Sequence, residues 1–379
     1  MQWPGLLLQP DQNLRSALCE MDSSAFGPGA GALQQQQQPE ELDVSGWWSD
    51  SEEGRAGVVR AFDAAFSEHG YAVLTGAQVL QLEVLQRELV KEAAAFFSLP
   101  LEDKMRFHHG PYGHPGGGYT PIGLESVAKS IGLTQKDGVE SFIFTRHPAS
   151  FEMPSESDAA AANVPFQVAG TKYWEEICEI LKSAHRIAAA ALRIEDEEFF
   201  NARYFDDHPR AVGSGGNGLT LKISWYPRPA EAAAGGDEED DSPLLLYGAH
   251  TDYQGFTLLK PDPSDWATEE HGGLEVKSKS SDQWVPVSSA AGGLVVNAGD
   301  LFSVWSNGRW HSPVHRVRAP TLAALANSHD RCSVIFFTGP QATTLVEPIR
   351  REGPEEPLRH EPIEAGKHLL AKILASRKT

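Results

Sequence analysis

Leu244-Leu245-Leu246-Tyr247-Gly248-Ala249-His250-Thr251-Asp252-Tyr253 is the stretch on which the reading of this chain turns. A short apolar run, Leu244–Tyr247, leads into an H-x-D. Side chains along a β-strand alternate between faces, so residues two apart project together. On that geometry His250 and Asp252 point the same way and Thr251 points elsewhere. An imidazole and a carboxylate at one strand end, joined by a distant second histidine, make a 2-His-1-carboxylate facial triad. Such a triad leaves positions open on one side and suits Fe(II). An isolated H-x-D is common and most often structural, so its partners decide the matter.

Outward from this strand, the chain after Gly218 breaks into short apolar segments bounded by turn residues. They are Leu219–Tyr226, Leu244–Tyr247, Gly255–Leu259, Leu274–Val276, Trp284–Val287, Gly293–Val296 and Cys332–Phe337. Many short strands at near-regular spacing argue for a sandwich or barrel. Before Gly218 the pattern is different. Val58, Val59, Phe62 and Phe66, then Val79, Leu80, Leu82, Leu85, Leu89 and Val90, recur mostly at three and four, as on helices. Gly70–Leu74 between them reads as a strand entered by a glycine. Gly110–Gly118 is a Gly- and Pro-rich loop, and roughly Phe166–Ile194 is an Ala-rich helix expected to support a sheet from behind. Residues 1–42, with Gln34–Gln38 and a Gly/Ala-rich stretch, read as a disordered low-complexity tail. The expected organisation is an α-rich part over 43–150, linking and supporting helices over 151–217, a β core over 218–345 and a helical C-terminal segment over 346–379.

Two histidines compete for the third ligand position in Trp310-His311-Ser312-Pro313-Val314-His315-Arg316-Val317. His311 follows the turn Ser306–Arg309 and sits near a strand start, whereas His315 lies deeper, between Val314 and Val317. Spacing favours His315 without excluding His311. Arg331 and Ser333 open another apolar strand and share one of its faces. A guanidinium grips a carboxylate with two parallel hydrogen bonds and a neighbouring hydroxyl adds a third, so the pair could anchor a small dicarboxylic acid. Alone, the segment would more often read as a surface arginine at a strand entry.

The 32 Lys+Arg against 52 Asp+Glu give a net charge of −20, which leaves no electrostatic footprint for nucleic acid or anionic membrane. Part of this is local, because Asp237–Asp241 is an acidic run expected in a solvated loop. No segment approaches the roughly 20 apolar residues of a membrane helix. Leu6–Leu8 lack the basic start of a secretory signal. The 3 cysteines are widely spaced with no C-x-x-C, which points to a reducing compartment and a cytoplasmic protein. A small molecule is the expected partner.

Several stretches together resemble the plant and fungal 2-oxoglutarate/Fe(II)-dependent dioxygenases related to isopenicillin N synthase. They are Phe96–Met105, Gly248–Tyr253, Gly272–Val276, Val296–Asp300, Trp305–Gly308, Ser312–Val317 and Arg331–Ser333. Their order and spacing are far more specific than any one of them, and the resemblance covers roughly residues 43–375. It implies a mainly β fold with α, a double-stranded β-helix (jelly-roll) core. It implies His250, Asp252 and His315 as iron ligands and Arg331 and Ser333 as the 2-oxoglutarate carboxylate site. Ser224-Trp225-Tyr226-Pro227 looks like the family's N-Y-Y-P, which implies a contact from the Tyr226 hydroxyl; Ser224 stands where the family often has Asn. Glu231–Asp241 and Ala319–Asp330 look like surface insertions. The implied activity uses Fe(II), 2-oxoglutarate and O₂, releases succinate and CO₂, and hydroxylates, desaturates or cyclises a small organic metabolite. Tyr119, Ile122, Phe142, Phe144 and Trp225 are the expected substrate lining. The alternatives are an oxidase with the same triad that does not use 2-oxoglutarate, as isopenicillin N synthase itself, and a non-catalytic cupin-like barrel.

Overall fold

A computed structural model describes residues 39–49, 51–108, 117–124, 138–145, 147–151, 158–208, 216–227, 245–261, 272–288, 292–320 and 330–377. The N-terminal part begins with β1 (Glu41–Asp43), α1 (Glu52–Glu68), β2 (Tyr71–Thr75) and α2 (Ala77–Phe97). Ser51 caps α1 by accepting the Gly54 N–H at 3.1 Å, and Glu52 and Glu53 sit in the first turn, where the helix dipole favours them. Val58, Phe62 and Phe66 recur at four on the buried face of α1. Gly70 opens β2 at a φ of +78°, and a Cβ there would lie 2.5 Å from the His311 carbonyl oxygen. Only glycine fits that approach.

The chain continues through α3 (Leu101–Met105), β3 (Gly117–Thr120), β4 (Glu140–Phe144), α4 (Asp158–Ala191) and α5 (Asn201–Tyr204). The long supporting helix is present as expected; it starts earlier, at Asp158, and runs through Pro165. The strands of the β region are β5 (Thr220–Tyr226), β6 (Leu245–His250), β7 (Phe256–Pro261), β8 (Gly273–Lys277), β9 (Trp284–Pro286), β10 (Leu294–Ala298), β11 (His315–Arg318) and β12 (Arg331–Phe337). A one-and-a-half-turn helix, α6 (Asp300–Trp305), follows β10. The chain ends with the short pair β13 (Leu345–Val346) and β14 (Ile363–Glu364) and helix α7 (Ala365–Arg377).

Eight strands form one sheet in the order β1-β2-β10-β7-β12-β5-β4-β3, and four form a second, β6-β11-β8-β9. Strands distant in sequence lie side by side in both, as in a double-stranded β-helix. The outer face of the large sheet, including Leu221, Ile223, Leu258, Val296, Val334 and Phe336, packs into one core with Phe62, Phe66, Leu82, Leu89, Ile177 and Leu181 of the helices. The alternate residues face the other sheet. Both faces are therefore covered, which is why Val334–Phe337 reads as an unbroken apolar run rather than as an alternation.

One expected boundary moves. Composition assigns residues 1–42 to the tail, yet Glu41–Asp43 is a strand paired in parallel with Val73–Thr75, and Leu42 is buried against the core. Three residues with no strand signature of their own take their conformation from a partner's free edge. The rest of the tail (residues 1–38), the acidic run Asp237–Asp241 and residues 321–329 of the second insertion lie outside the described residues.

Candidate metal centre

His250 is the last residue of β6 and pairs directly with His315 of β11. The next pairs are Tyr247 with Val317 and Leu245 with Arg318, so the register slips between them. Between His250 and Tyr247 β6 uses one residue more than β11, a bulge at Gly248–Ala249. Strict alternation would put Tyr247 and His250 on opposite faces; the bulge turns both into the space between the sheets, where both line one cavity.

The expected reason for Asp252 facing His250 requires correction. β6 ends at His250, so Asp252 lies beyond the strand and alternation does not aim it. Its backbone carbonyl accepts the Asp300 N–H at 2.9 Å and the Ser312 hydroxyl at 3.4 Å. Its Oδ2 accepts from Asn297 Nδ2 at 2.6 Å, and the Thr257 side chain bonds the same carboxylate. Asn297 and Thr257 are register partners on β10 and β7. Neighbouring strands of the large sheet thus hold a side chain delivered by the loop.

Each histidine is held through its other nitrogen. Nδ1 of His250 donates to the Gly248 carbonyl at 2.8 Å and Nδ1 of His315 to the Pro313 carbonyl at 3.1 Å. A carbonyl can only accept, so both protons sit on Nδ1 and both Nε2 lone pairs are left exposed to the centre. Each Nε2 lies 3.8 Å from Asp252 Oδ1. Among the described residues these three form the one group whose ligand atoms all lie within 4.8 Å of one another. Burial, with His315 beside it, pulls His250 down to about 4. Burial raises Asp252, but His315, His250 and the hydrogen bonds from Asn297 and Thr257 outweigh it and hold its carboxyl below the ordinary range. Neutral imidazoles and an ionised carboxylate are the protonation states that bind a metal. The donor set therefore fits Fe(II). His311 is not in the group: burial also draws it down to about 4, and its Nε2 sits 3.1 Å from where a Cβ on Gly70 would be.

Arg331, Ser333 and Tyr226 line the same cavity as the three donors. β12 and β5 run antiparallel with Arg331 opposite Tyr226 and Ser333 opposite Ser224. Cys332 points the other way, into the core. Ser224 is buried with its hydroxyl unpartnered among the described residues. The remaining wall is mostly apolar, with Leu259, Ile335 and Phe337 from the large sheet and Leu274, Val276 and Val317 from the small one.

The expected substrate lining is not part of this wall. Phe142 and Phe144 are fully buried in an aromatic cluster with Phe151 and Phe166, on the outer face of the sheet. Tyr119 donates its hydroxyl to Glu140 at 2.6 Å, where Lys104 also binds. Trp225 stacks on Phe97 with centroids 5.3 Å apart, and Ile122 is exposed. Alternation decides it: Tyr226 faces in, so Trp225 faces out. Asn297, Thr257 and Tyr247 were missed as site residues. Val296–Asp300 carried part of the family resemblance, and that was the available signal for Asn297; for Tyr247, which depends on a bulge, there was none.

Residues 199–340 match the model of the 2OG-Fe(II) oxygenase superfamily, and residues 41–165 match that of the N-terminal region of non-haem dioxygenases in morphine synthesis. A 2-oxoglutarate-Fe(II) type oxidoreductase of Emericella nidulans is 27% identical over 79% of this chain and 78% of its own. Clavatol oxidase of Penicillium crustosum is 27% identical over 84% of this chain and 90% of its own. Among solved structures, a full-length Neurospora crassa protein in complex with alpha-KG and thymine superposes with a TM-score of 0.69 at 24% identity, over 89% of this chain and 96% of that one. At that identity the likeness speaks for the fold. With two matching models that run through both halves of the chain and relatives that span most of it, this chain belongs to the isopenicillin N synthase-like 2-oxoglutarate/Fe(II) oxygenases, dioxygenases that use Fe(II), 2-oxoglutarate and O₂ on small metabolites.

Proposed function

We propose that His250, Asp252 and His315 hold the iron of this dioxygenase, that Arg331 and Ser333 hold the far carboxylate of 2-oxoglutarate, and that Tyr226 gives its hydroxyl to the same co-substrate. The convergence of two Nε2 atoms and one carboxylate oxygen within 4.8 Å, each fixed from behind by a hydrogen bond, carries the assignment. Bound there, Fe(II) supplies O₂ activation coupled to oxidative decarboxylation of 2-oxoglutarate to succinate and CO₂, ending in oxidation of a substrate C–H bond.

The chain's own residues do the rest. The Nδ1–H bonds fix the orientation of each ring and turn its Nε2 toward the centre. Asn297 occupies Oδ2 of the Asp252 carboxylate, and Oδ1 faces the two Nε2 atoms. Arg331 offers a planar fork to a carboxylate, and the hydroxyls of Ser333 and Tyr226 stand beside it on the same wall. Leu259, Ile335 and Phe337 keep water from the space between, which strengthens those polar contacts. The same walls favour an apolar, mid-sized organic substrate.

The protein works in the cytoplasm without nucleic-acid or membrane partners. Its charge of −20 and the free, buried Cys178 support this, and no described helix is long and apolar enough to cross a membrane. Succinate release coupled to O₂ uptake across a metabolite library tests the activity. Turnover of no C–H-bearing metabolite, together with 2-oxoglutarate-independent O₂ uptake, would turn the assignment toward an oxidase. A fluorescent fusion found in a secretory or organellar compartment would overturn the placement.

A further inference from the structure

We infer that the C-terminal helix positions the metal loop, with His368 and Lys372 of α7 acting through Asp300 as positioning residues. This rests on the ligand set proposed above.

The contacts run without a gap from the C-terminus to Asp252. The start of α7 is pinned by the Ala365 N–H to the Thr344 carbonyl at 3.0 Å and by the Gly366 N–H to the Ala342 carbonyl at 2.8 Å. His368 and Lys372, four apart, share a helix face. Both reach one carboxylate, Asp300 Oδ2, from His368 Nε2 at 3.2 Å and Lys372 Nζ at 2.7 Å. Asp300 opens α6, and that turn grips the loop after β6 through its backbone. The Gly299 N–H donates to the Gly255 carbonyl at 2.7 Å, Asp300 to Asp252 at 2.9 Å and Leu301 to Gln254 at 2.9 Å. Lys372 Nζ also stands 5.6 Å from the ring centre of Tyr253, the residue between Asp252 and Gln254. The loop that carries the only carboxylate of the donor set is therefore held on both sides of Tyr253 by one short helix. That helix in turn is tied by its first side chain to α7. Asp300 is only 17% exposed, so its contacts with His368 and Lys372 matter more than a surface pair would.

A purely structural staple would lower the melting temperature of the apo and metal-loaded protein alike and leave metal affinity unchanged. A positioning role moves affinity. The experiment is a Co(II) titration of the full-length apoprotein, followed by visible absorption, for wild type, His250→Ala, Lys372→Gln, Lys372→Arg and the His368→Leu/Lys372→Gln double variant. The double variant is expected to bind Co(II) about tenfold more weakly, the lower end of what groups behind a ligand contribute. Its gain in melting temperature on saturation with Co(II) shrinks accordingly. Lys372→Arg, which keeps a cation in place, retains most of the wild-type affinity. Wild-type affinity in the double variant overturns the inference, whatever its melting temperature; should that variant not fold, Lys372→Gln decides by the same criterion. Failure of the underlying assignment looks different: His250→Ala would then bind Co(II) as tightly as wild type.

Discussion

At the residue scale, the centre is a set of atoms each held from behind. His250→Ala and His315→Ala are each expected to abolish Fe(II) binding, and His311→Ala to retain it, measured as iron content after anaerobic loading and desalting. Loss of iron in His311→Ala alone would reassign the third ligand. Asn297→Ala is expected to weaken metal binding by about 10- to 100-fold while leaving the fold intact, the effect of freeing a ligating carboxylate from its outer partner. A metal titration with circular dichroism as the folding control checks it. The three proposed ligands are legible in the sequence, His250 and Asp252 from the local H-x-D and His315 over His311 only through the family resemblance of S-x-x-H-R-V. Their supports were less so. Asn297 lies 45 residues from Asp252 and meets it only because β10 and β7 are neighbours in the sheet.

At the scale of elements, the strands from Leu219 onward and the long helix behind them could be read from apolar runs and periodicity. What could not be read is the bulge at Gly248–Ala249, which is a property of a pair of strands rather than of either one. The expected substrate residues stand away from the metal cavity for a related reason. Aromatic character alone points to Phe142, Phe144 and Trp225, whereas the face each presents is fixed by pairing, and β4 and β5 turn them to the helical side. α1 is joined to the metal side of the fold by Asp63, which accepts from Arg309 Nε at 2.8 Å, Arg309 Nη2 at 2.6 Å and the Trp310 indole at 3.0 Å. Asp63→Ala leaves the buried indole N–H without its acceptor and is expected to cost about 1–3 kcal/mol, read from urea unfolding of the apoprotein; no change in the midpoint would show that the tie is idle. Deleting residues 1–38 is expected to leave the melting temperature unchanged. Deleting 1–48 should lower it, because β1 and the buried Leu42, Val44 and Trp47 go with it. Equal melting temperatures for the two truncations would show that β1 contributes nothing.

At the scale of the whole molecule, one core serves the helices and the outer sheet face, and a titratable group is buried within it. His185 is fully buried among Phe200, Tyr204 and Phe256, with Nδ1 against Asn201 Oδ1 at 2.9 Å. Burial pulls it from 6.5 down to about 3. Its folded value lies below its unfolded one, so the unfolded chain takes the proton first, and stability is full above about pH 6.5 and is lost as pH falls toward 3. Asp63 works in the same direction, since burial raises it but Arg309 and Trp310 outweigh that and hold its carboxyl low. Apoprotein stability should therefore fall with acid, and His185→Leu should flatten the slope between pH 6 and about 4. An unchanged slope in that variant would assign the acid sensitivity elsewhere.

The most direct test of the central claim is 2-oxoglutarate binding to the Fe(II)-loaded protein without O₂, by calorimetry, for wild type, Arg331→Ala, Arg331→Lys and Ser333→Ala. Truncating one partner of a buried charged pair costs roughly 2–5 kcal/mol, so Arg331→Ala should bind about 30-fold more weakly or worse, each ~1.4 kcal/mol being tenfold, with iron content unchanged. Arg331→Lys should recover little, since an ammonium lacks the planar fork, and Ser333→Ala should lose about 1 kcal/mol. Wild-type affinity for 2-oxoglutarate in Arg331→Ala, with iron still bound, would contradict the account.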